Sequence, residues 1–255
     1  MAASSVCPKF SFSNATEEDV FLSFHMIRSN AAGLDGIPLR FVKLMLPFAL
    51  PHFTYLFNQV VMRSSYPDRW KLSLVMPTHK RTRNFELDDF RAIHLIPVVS
   101  KALENLLSKQ IVTFVASNKL LTKYQSGFRP AHSTAAALLN ITDDILRNFG
   151  RREVAFLMLL DFTKAFDTVN HAVLRGKLRD EFHFEHPALN LISSFLNGRS
   201  HCVQIDDFVS SVLTTSKGVP QGSALSSLLF SLFINDLPDV LEKAKPHMYA
   251  DDVQK

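Results

Sequence analysis

The chain has 255 residues, 47% of them hydrophobic, and 28 lysines and arginines against 24 acidic residues give it a formal net charge of +4. This composition supports a sizeable core, in one large domain or two subdomains, and excludes a disordered chain. The basic balance is compatible with a nucleic-acid partner but does not demonstrate one. Cys7 and Cys202 stand alone, so the sequence predicts neither a disulfide framework nor a structural zinc site.

The N-terminus and the hydropathy pattern bear on localisation. The stretch MAASSVCPKF has no apolar core of signal-peptide length, and the chain contains no apolar run of roughly 18 residues that could span a bilayer. We therefore expect an intracellular, soluble protein in a reducing compartment, without a membrane partner.

The first third of the chain predicts helices. Thr16 precedes three acidic residues in the pattern of an N-cap, and apolar residues then recur at helical spacing. Pro38 and Pro51 are predicted to open two further helices, because proline is tolerated in a first turn. The alternating run KLSLVMPTHK and the polar loop RTRNFELDD then predict a strand-loop-strand finger.

The middle of the chain predicts two helices and a strand. One helix follows Ser100 with leucines on a single face, and another carries Leu138, Ile145, Leu146 and Phe149. The continuous apolar run EVAFLMLL then predicts a buried central strand with Asp161 at its end.

The last third predicts a helix, a hairpin and a second helix. Pro187 and Gly198 bracket ALNLISSFLN as the first-turn proline and terminal glycine of a helix. CVQIDD and SVLTTS have the pattern of hairpin arms, and GSALSSLLFSLFIND that of an apolar helix.

Asp161 and Asp251 are the candidate metal ligands. Magnesium requires hard oxygen ligands, and two adjacent carboxylates are costly to crowd together unless a positive charge lies beside them. Asp161 and Asp251 are 251 − 161 = 90 residues apart, so only the fold can bring them together. Asp-Asp also occurs at 88–89, 143–144 and 206–207, where a solvated turn or a helix cap is the ordinary explanation.

The order of three motifs points to a family. LLDFTKAFDTVNH, GVPQGS and MYADD follow one another, accompanied by AAGLDGIP, FRAIHLIPVVSKALE, YQSGFRPAHST and SLFINDLP. In this combination the chain resembles the reverse transcriptases of non-LTR (LINE-like) retrotransposons over roughly residues 30–253. The resemblance implies an RNA-directed DNA polymerase with RNA template, DNA primer and dNTPs as partners. It also implies nuclear localisation for target-primed synthesis, with the cytoplasm as the alternative.

The resemblance also implies the architecture. The fold would be α+β, with right-hand polymerase fingers and palm, an antiparallel palm sheet packed on helices, and a missing thumb. Residues 1–30 would be a helical extension, 31–150 a fingers-like region, and 151–255 a palm truncated just after YADD.

By this resemblance Asp161, Asp251 and Asp252 would be the catalytic carboxylates and would bind two Mg²⁺ ions, or Mn²⁺ in their place. The ions would lower the pKa of the primer 3′-hydroxyl and stabilise the attacking and leaving oxygens of an in-line phosphoryl transfer. Asp167, in the same motif, is interpreted as the cap of the helix TVNHAVLRGKL.

The resemblance assigns the nucleotide-binding residues. Phe166 would lie under the sugar and exclude a 2′-hydroxyl, although a plain core phenylalanine is the alternative in a chain with 22 of them. Gln221 and Gly222 of GVPQGS would position nucleotide or template. Arg91 and Lys80 would bind the triphosphate, and Arg91 is the stronger assignment because a guanidinium suits phosphate oxygens.

The template would contact Gln125, Phe128 and Arg129 of QSGFRP through stacking and phosphate pairing. Ala92 and His94 stand where the family usually has proline and serine, which leaves the rigidity of that loop open.

The end of the chain shapes the expected activity. The family continues past YADD, so we expect an incomplete copy with weak or no activity. A non-catalytic RNA or template-primer binding remnant is the alternative function. A third possibility is a different palm-type enzyme with the same two-metal chemistry. Whether nucleotide incorporation depends on a template would distinguish it from a reverse transcriptase.

Overall fold

The computed structural model describes residues 8–79, 89–127, 133–154, 156–241, 246–250 and 252–254, with backbone alone at 137 and 252–254. The helices are α1 (Glu17–His25), α2 (Leu39–Arg63), α3 (Val98–Ser117), α4 (Thr134–Gly150), α5 (His171–Asp180), α6 (His186–Leu196), α7 (Ala224–Phe233) and α8 (Leu237–Val240). The strands are β1 (Leu72–His79), β2 (Phe90–Leu95), β3 (Leu159–Asp161), β4 (Arg199–Ile205), β5 (Phe208–Val209), β6 (Leu213–Thr215), β7 (His247–Tyr249) and β8 (Asp252–Gln254).

Local capping rules explain the start of the chain. Thr16 accepts a hydrogen bond from the Asp19 amide at 3.2 Å, and the Asp19 carboxylate accepts one from the Thr16 amide at 3.3 Å. This reciprocal pair is a capping box, so the predicted first helix is confirmed.

The prediction of a separate helix at Pro51 is wrong. α2 runs through both Pro47 and Pro51 without a break. An interior proline costs about 3 kcal/mol in lost hydrogen bonding and steric clash. Leu46 and Phe57, on either side of the prolines, are buried in the core, so tertiary packing offsets that cost. Among the described helices, none is long and apolar enough to cross a bilayer.

The core lies where α1, α3, α5, α6 and α7 pack together. Its fully buried side chains include Phe24, Leu103, Leu107, Leu174 and Phe195. α3 begins at Val98, with Pro97 at its N-cap, rather than after Ser100. The Ser100 hydroxyl lies inside the helix, 2.7 Å from the Tyr66 hydroxyl. The predicted α6 and α7 are confirmed.

The first sheet combines distant parts of the chain. Its order is β2-β1-β4-β5, with β6 also paired to β4. β1 and β2 form the predicted antiparallel finger, and β1 pairs with β4 in parallel. The predicted pairing of CVQIDD with SVLTTS is wrong in register: Gln204 and Ile205 pair with β5, and β6 pairs with the earlier residues Arg199–His201 of β4. The sheet therefore draws strands from both sides of residue 150, the predicted boundary between fingers and palm, and that division stays a prediction.

The second sheet is antiparallel, with the order β3-β8-β7. The prediction of a buried central strand before Asp161 is wrong: β3 has three residues, lies at one end of this sheet and is exposed. Leu159 and Leu160 are 68% and 40% exposed. An apolar run shows that a segment favours burial, but only tertiary neighbours can bury it. Helices and sheets together confirm the predicted α+β class.

Candidate active site

Two aspartates face each other across the second sheet. In the β3–β8 pair, Asp161 is the partner of Asp252, and Leu160 of Val253. Residues directly opposite in an antiparallel pair have Cβ atoms about 4.5–5.5 Å apart. The fold thereby closes a separation of 252 − 161 = 91 residues. Asp161 is exposed, so a ligand can reach its carboxylate from solvent.

A tight turn connects β7 to β8. Tyr249 pairs with Asp252, which leaves a two-residue connection of Ala250 and Asp251. Ala250 has a φ of 56°, in the left-handed region that a two-residue hairpin of this kind requires. Asp251 itself lies outside the described residues.

The segment around Gln125 lies against this turn. Gln125 is 1% exposed, and its side-chain oxygen accepts hydrogen bonds from the amides of Gly127 at 2.7 Å and Ala250 at 3.1 Å. Its side-chain nitrogen donates to the Ala250 carbonyl at 3.3 Å. Phe128 and Arg129, the other predicted template contacts, lie outside the described residues.

The GVPQGS loop is joined to the LLDFTKAFDTVNH motif by backbone hydrogen bonds. The amide of Gly218 donates to the carbonyl of Val169 at 2.9 Å, and that of Val219 donates to Phe166 at 2.8 Å. Gly218 has a φ of 83°, and a Cβ there would lie 2.8 Å from the Asp167 backbone. Only glycine fits this position, because both the conformation and the close approach exclude a side chain.

The interpretation of Asp167 as a helix cap is wrong. α5 begins after Asn170, whose side-chain oxygen accepts hydrogen bonds from the amides of Ala172 at 2.9 Å and Val173 at 3.1 Å. Asparagine immediately before a helical pattern is the signal that identifies this cap. Asp167 lies in the preceding 3₁₀ turn, where burial raises the pKa of its carboxyl against the opposing charges of Lys164 and His201.

Phe166 packs on α7. Its ring stacks on Phe230 with centroids 4.9 Å apart and planes inclined by 24°, and the side chain is half-buried. One face of the Phe166 ring therefore packs in the core, as expected for a core phenylalanine. The other part of the side chain is partly exposed and could contact a ligand. Its role towards a sugar stays a prediction.

The predicted nucleotide-binding residues of the loop and the finger are linked through His94. The amide of His94, on β2, donates to the carbonyl of Gln221 at 2.9 Å, and a Cβ on Gly222 would lie 3.3 Å from the His94 carbonyl oxygen. Arg91 lies three residues earlier on the same strand and is exposed. Lys80 lies outside the described residues.

His94 also lines a cavity of about 420 Å³, which is bordered on one side by Gly218, Val219 and Pro220 of the GVPQGS loop. Its Nδ1 lies 2.8 Å from the Ser73 hydroxyl, and its ring centroid 5.7 Å from that of His201. Burial, and to a lesser extent the charges of His201 and Arg199, lower the pKa of His94 to about 4. The sequence identified this histidine only as a departure from the family pattern.

His94 should make the protein sensitive to acid. Because its folded-state pKa of about 4 lies below its ordinary 6.5, the unfolded chain binds more protons between these values. The contribution of neutral His94 to the free energy of unfolding is fully present above pH 6.5. It is lost as the pH falls towards 4, and the loss amounts to up to about 3 kcal/mol. Urea unfolding at pH 7 and pH 4.5 measures it.

His94→Asn, which can keep a polar contact with Ser73, should flatten this pH dependence. His25→Asn, an exposed position on α1, is the matched control and should retain the wild-type slope. An unchanged slope in His94→Asn would show that His94 is not the responsible group.

The donor set fits a hard divalent cation. Asp161, Asp251 and Asp252 are all carboxylates, and the backbone register pairs Asp161 with Asp252. Among the side chains that the structure describes, no three His, Cys, Asp or Glu residues form a metal-binding group. Asp251 and the side chain of Asp252 are outside that set.

The described helices and sheets thus define an α+β protein with facing aspartates beside a tight turn and a glycine-rich loop. The family model described as reverse transcriptase (RNA-dependent DNA polymerase) matches residues 78–254. The chain belongs to this family, as the order of its motifs predicted.

The relatives are proteins of mobile elements. The chain is 31% identical over 230 residues to the probable RNA-directed DNA polymerase from transposon X-element of Drosophila melanogaster, covering 88% of this chain and 25% of the relative. It is 32% identical over 210 residues to the RNA-directed DNA polymerase from mobile element jockey of the same species, covering 82% and 23%. The chain thus spans about a quarter of the length of these relatives. The resemblance to non-LTR retrotransposon enzymes is confirmed.

Proposed function

We propose that this chain carries the polymerase site of an RNA-directed DNA polymerase, which adds deoxynucleotides to a primer 3′-hydroxyl on an RNA template. The observation that carries the proposal is the register of the second sheet, in which Asp161 lies opposite Asp252 beside the Tyr249–Asp252 turn. In a right-hand polymerase fold, this sheet would belong to the palm and the β1–β2 pair to the fingers.

Asp161, Asp251 and Asp252 would hold two divalent cations, Mg²⁺ or Mn²⁺. When bound, such cations neutralise charge on a triphosphate and lower the pKa of a hydroxyl nucleophile. The protein then needs to contribute little acid-base chemistry, and its work is to bind and orient the substrates.

The chain's own residues would orient the nucleotide. Arg91 is exposed on β2 and would donate to phosphate oxygens, and Lys80 is the second residue that we propose for binding the triphosphate. The backbone link between His94 and Gln221 supports a common site for Arg91 and the GVPQGS loop. Phe166, held against Phe230, would exclude a ribose 2′-hydroxyl by its bulk.

The remaining partners follow from this reaction. Template RNA and a DNA primer would bind along the same face, with Phe128 and Arg129 as template contacts. Target-primed synthesis would take place in the nucleus.

A primer-extension assay tests the proposal. Purified chain is incubated with an annealed RNA template and DNA primer, Mg²⁺ and four dNTPs, and the sequence of any extended product should follow the template. Omitting the template and adding a chelator are the controls, and each should abolish extension. Incorporation that ignores the template would favour another palm-type nucleotide chemistry. Template-primer binding without incorporation would favour the non-catalytic alternative.

A further inference from the structure

The segment containing Gln125 extends the second sheet beyond β7. The amide of Met248 donates to the carbonyl of Tyr124 at 2.9 Å, and the amide of Ser126 donates to the carbonyl of Met248 at 2.8 Å. These two bonds form a parallel bridge between Gln125 and Met248. The backbone of the segment therefore pairs with the edge of β7 at one position, Gln125 opposite Met248.

Beyond Met248 a side chain replaces the backbone in this pairing. β7 ends before Ala250, and the side-chain amide of Gln125 bonds both backbone groups of Ala250. Its oxygen accepts from the Ala250 N–H at 3.1 Å, and its nitrogen donates to the Ala250 C=O at 3.3 Å. The same oxygen accepts from Gly127 at 2.7 Å. A primary amide can do this because it carries a donor and an acceptor side by side, as a peptide group does.

The turn requires support from its surroundings. Ala250 has a positive φ of 56°, which is unfavourable for a residue with a Cβ and persists only where neighbouring contacts hold it. Gly127 lies so close that an added Cβ would be 2.1 Å from the Ala250 nitrogen. Glycine at 127 is thus what lets Gln125 and its segment reach the turn.

We propose that Gln125 is a positioning residue that holds the peptide groups of Ala250 and thereby sets the direction in which the chain enters Asp251. Its burial and its three hydrogen bonds tie its polar atoms to the protein rather than to a template strand. The consequence for cation binding rests on the proposed function, since it takes Asp251 as a ligand. The hydrogen bonds between Gln125 and Ala250 are independent of the proposed function.

Amide hydrogen exchange tests the hold on Ala250 directly. Gln125→Ala should accelerate exchange at the amides of Ala250 and Gly127 by roughly 10- to 100-fold, because both lose their acceptor. Gln110→Ala is the matched control, since Gln110 makes the same paired bonds with the backbone of Ser13 at 2.9 and 3.0 Å. Where the alanine variant fails to fold, Gln125→Asn takes its place.

Two binding measurements separate positioning from template contact. Gln125→Ala should weaken Mn²⁺ binding by about tenfold, as changes beside metal ligands commonly do, and leave the affinity for template RNA unchanged. Gln110→Ala should change neither. Weakened RNA binding with unaltered exchange at Ala250 would overturn the proposal.

Separate measurements test the proposed function and the role of Gln125, so one can be contradicted without the other. Equal Mn²⁺ binding by the wild-type chain and Asp161→Asn would contradict the cation site. The exchange rates at Ala250 would still decide the role of Gln125, because they are measured without metal.

Discussion

Asp161→Asn is expected to lower the rate of primer extension by roughly 10³-fold, which corresponds to about 4 kcal/mol of transition-state stabilisation. Asparagine keeps the shape of the side chain but removes the negative charge that a bound cation requires. Asp161 is exposed at the end of β3, so the substitution disturbs no core packing and should leave the unfolding free energy within about 0.5 kcal/mol. Steady-state extension rates and urea unfolding together measure both effects.

The control for this substitution is an aspartate of similar exposure. Asp180 lies on the surface of α5, paired with Arg179 at 2.7 Å, and Asp180→Asn should retain wild-type extension. A rate for Asp161→Asn within threefold of wild type would exclude Asp161 as a ligand.

Glu104→Ala is expected to destabilise the fold by about 3–5 kcal/mol, because it removes the acceptor of several buried hydroxyls and leaves a cavity. Glu104 is fully buried on α3 and accepts hydrogen bonds from the hydroxyls of Tyr66 at 3.2 Å, Ser100 at 3.3 Å and Ser223. Alanine would leave those hydroxyls without this acceptor and would open a cavity. Urea unfolding near pH 7 measures the loss.

Glu104→Gln should cost less, about 1–2 kcal/mol, because the amide retains the size and one acceptor oxygen. Glu153→Ala, at an exposed position after α4, is the control and should stay within about 0.5 kcal/mol of wild type. A loss below 1 kcal/mol in Glu104→Ala would show that water or rearranged hydroxyls replace the carboxylate.

The buried network also links the core to the candidate site. Ser223 ends the GVPQGS loop and caps α7, accepting a hydrogen bond from the amide of Ser226 at 3.1 Å. Glu104 therefore holds the loop from the side of the core, while His94 holds it from β2. Burial raises the pKa of Glu104, against the opposing charge of Arg199. Its contribution to stability is thus greatest below its unfolded-state pKa and declines as the pH rises, opposite in sign to that of His94.

Several elements could be predicted because their causes are local. The Thr16 capping box, the proline at the start of α6 and the apolar periodicity of α7 all act within a few residues. Pro51 and Asp167 do not have the local roles that their sequence positions predict, a helix start and a helix cap. Core packing carries α2 through its prolines, and Asn170 offered a better-placed cap than Asp167.

Motif order alone determined the family and the candidate carboxylates, because these depend on which residues occur and in what sequence. Only the tertiary structure decided that Asp161 lies opposite Asp252 and that Gln125 bonds Ala250. Strand register and side-chain hydrogen bonds between segments 91 and 125 residues apart arise from the packing of the whole chain, which no local pattern encodes.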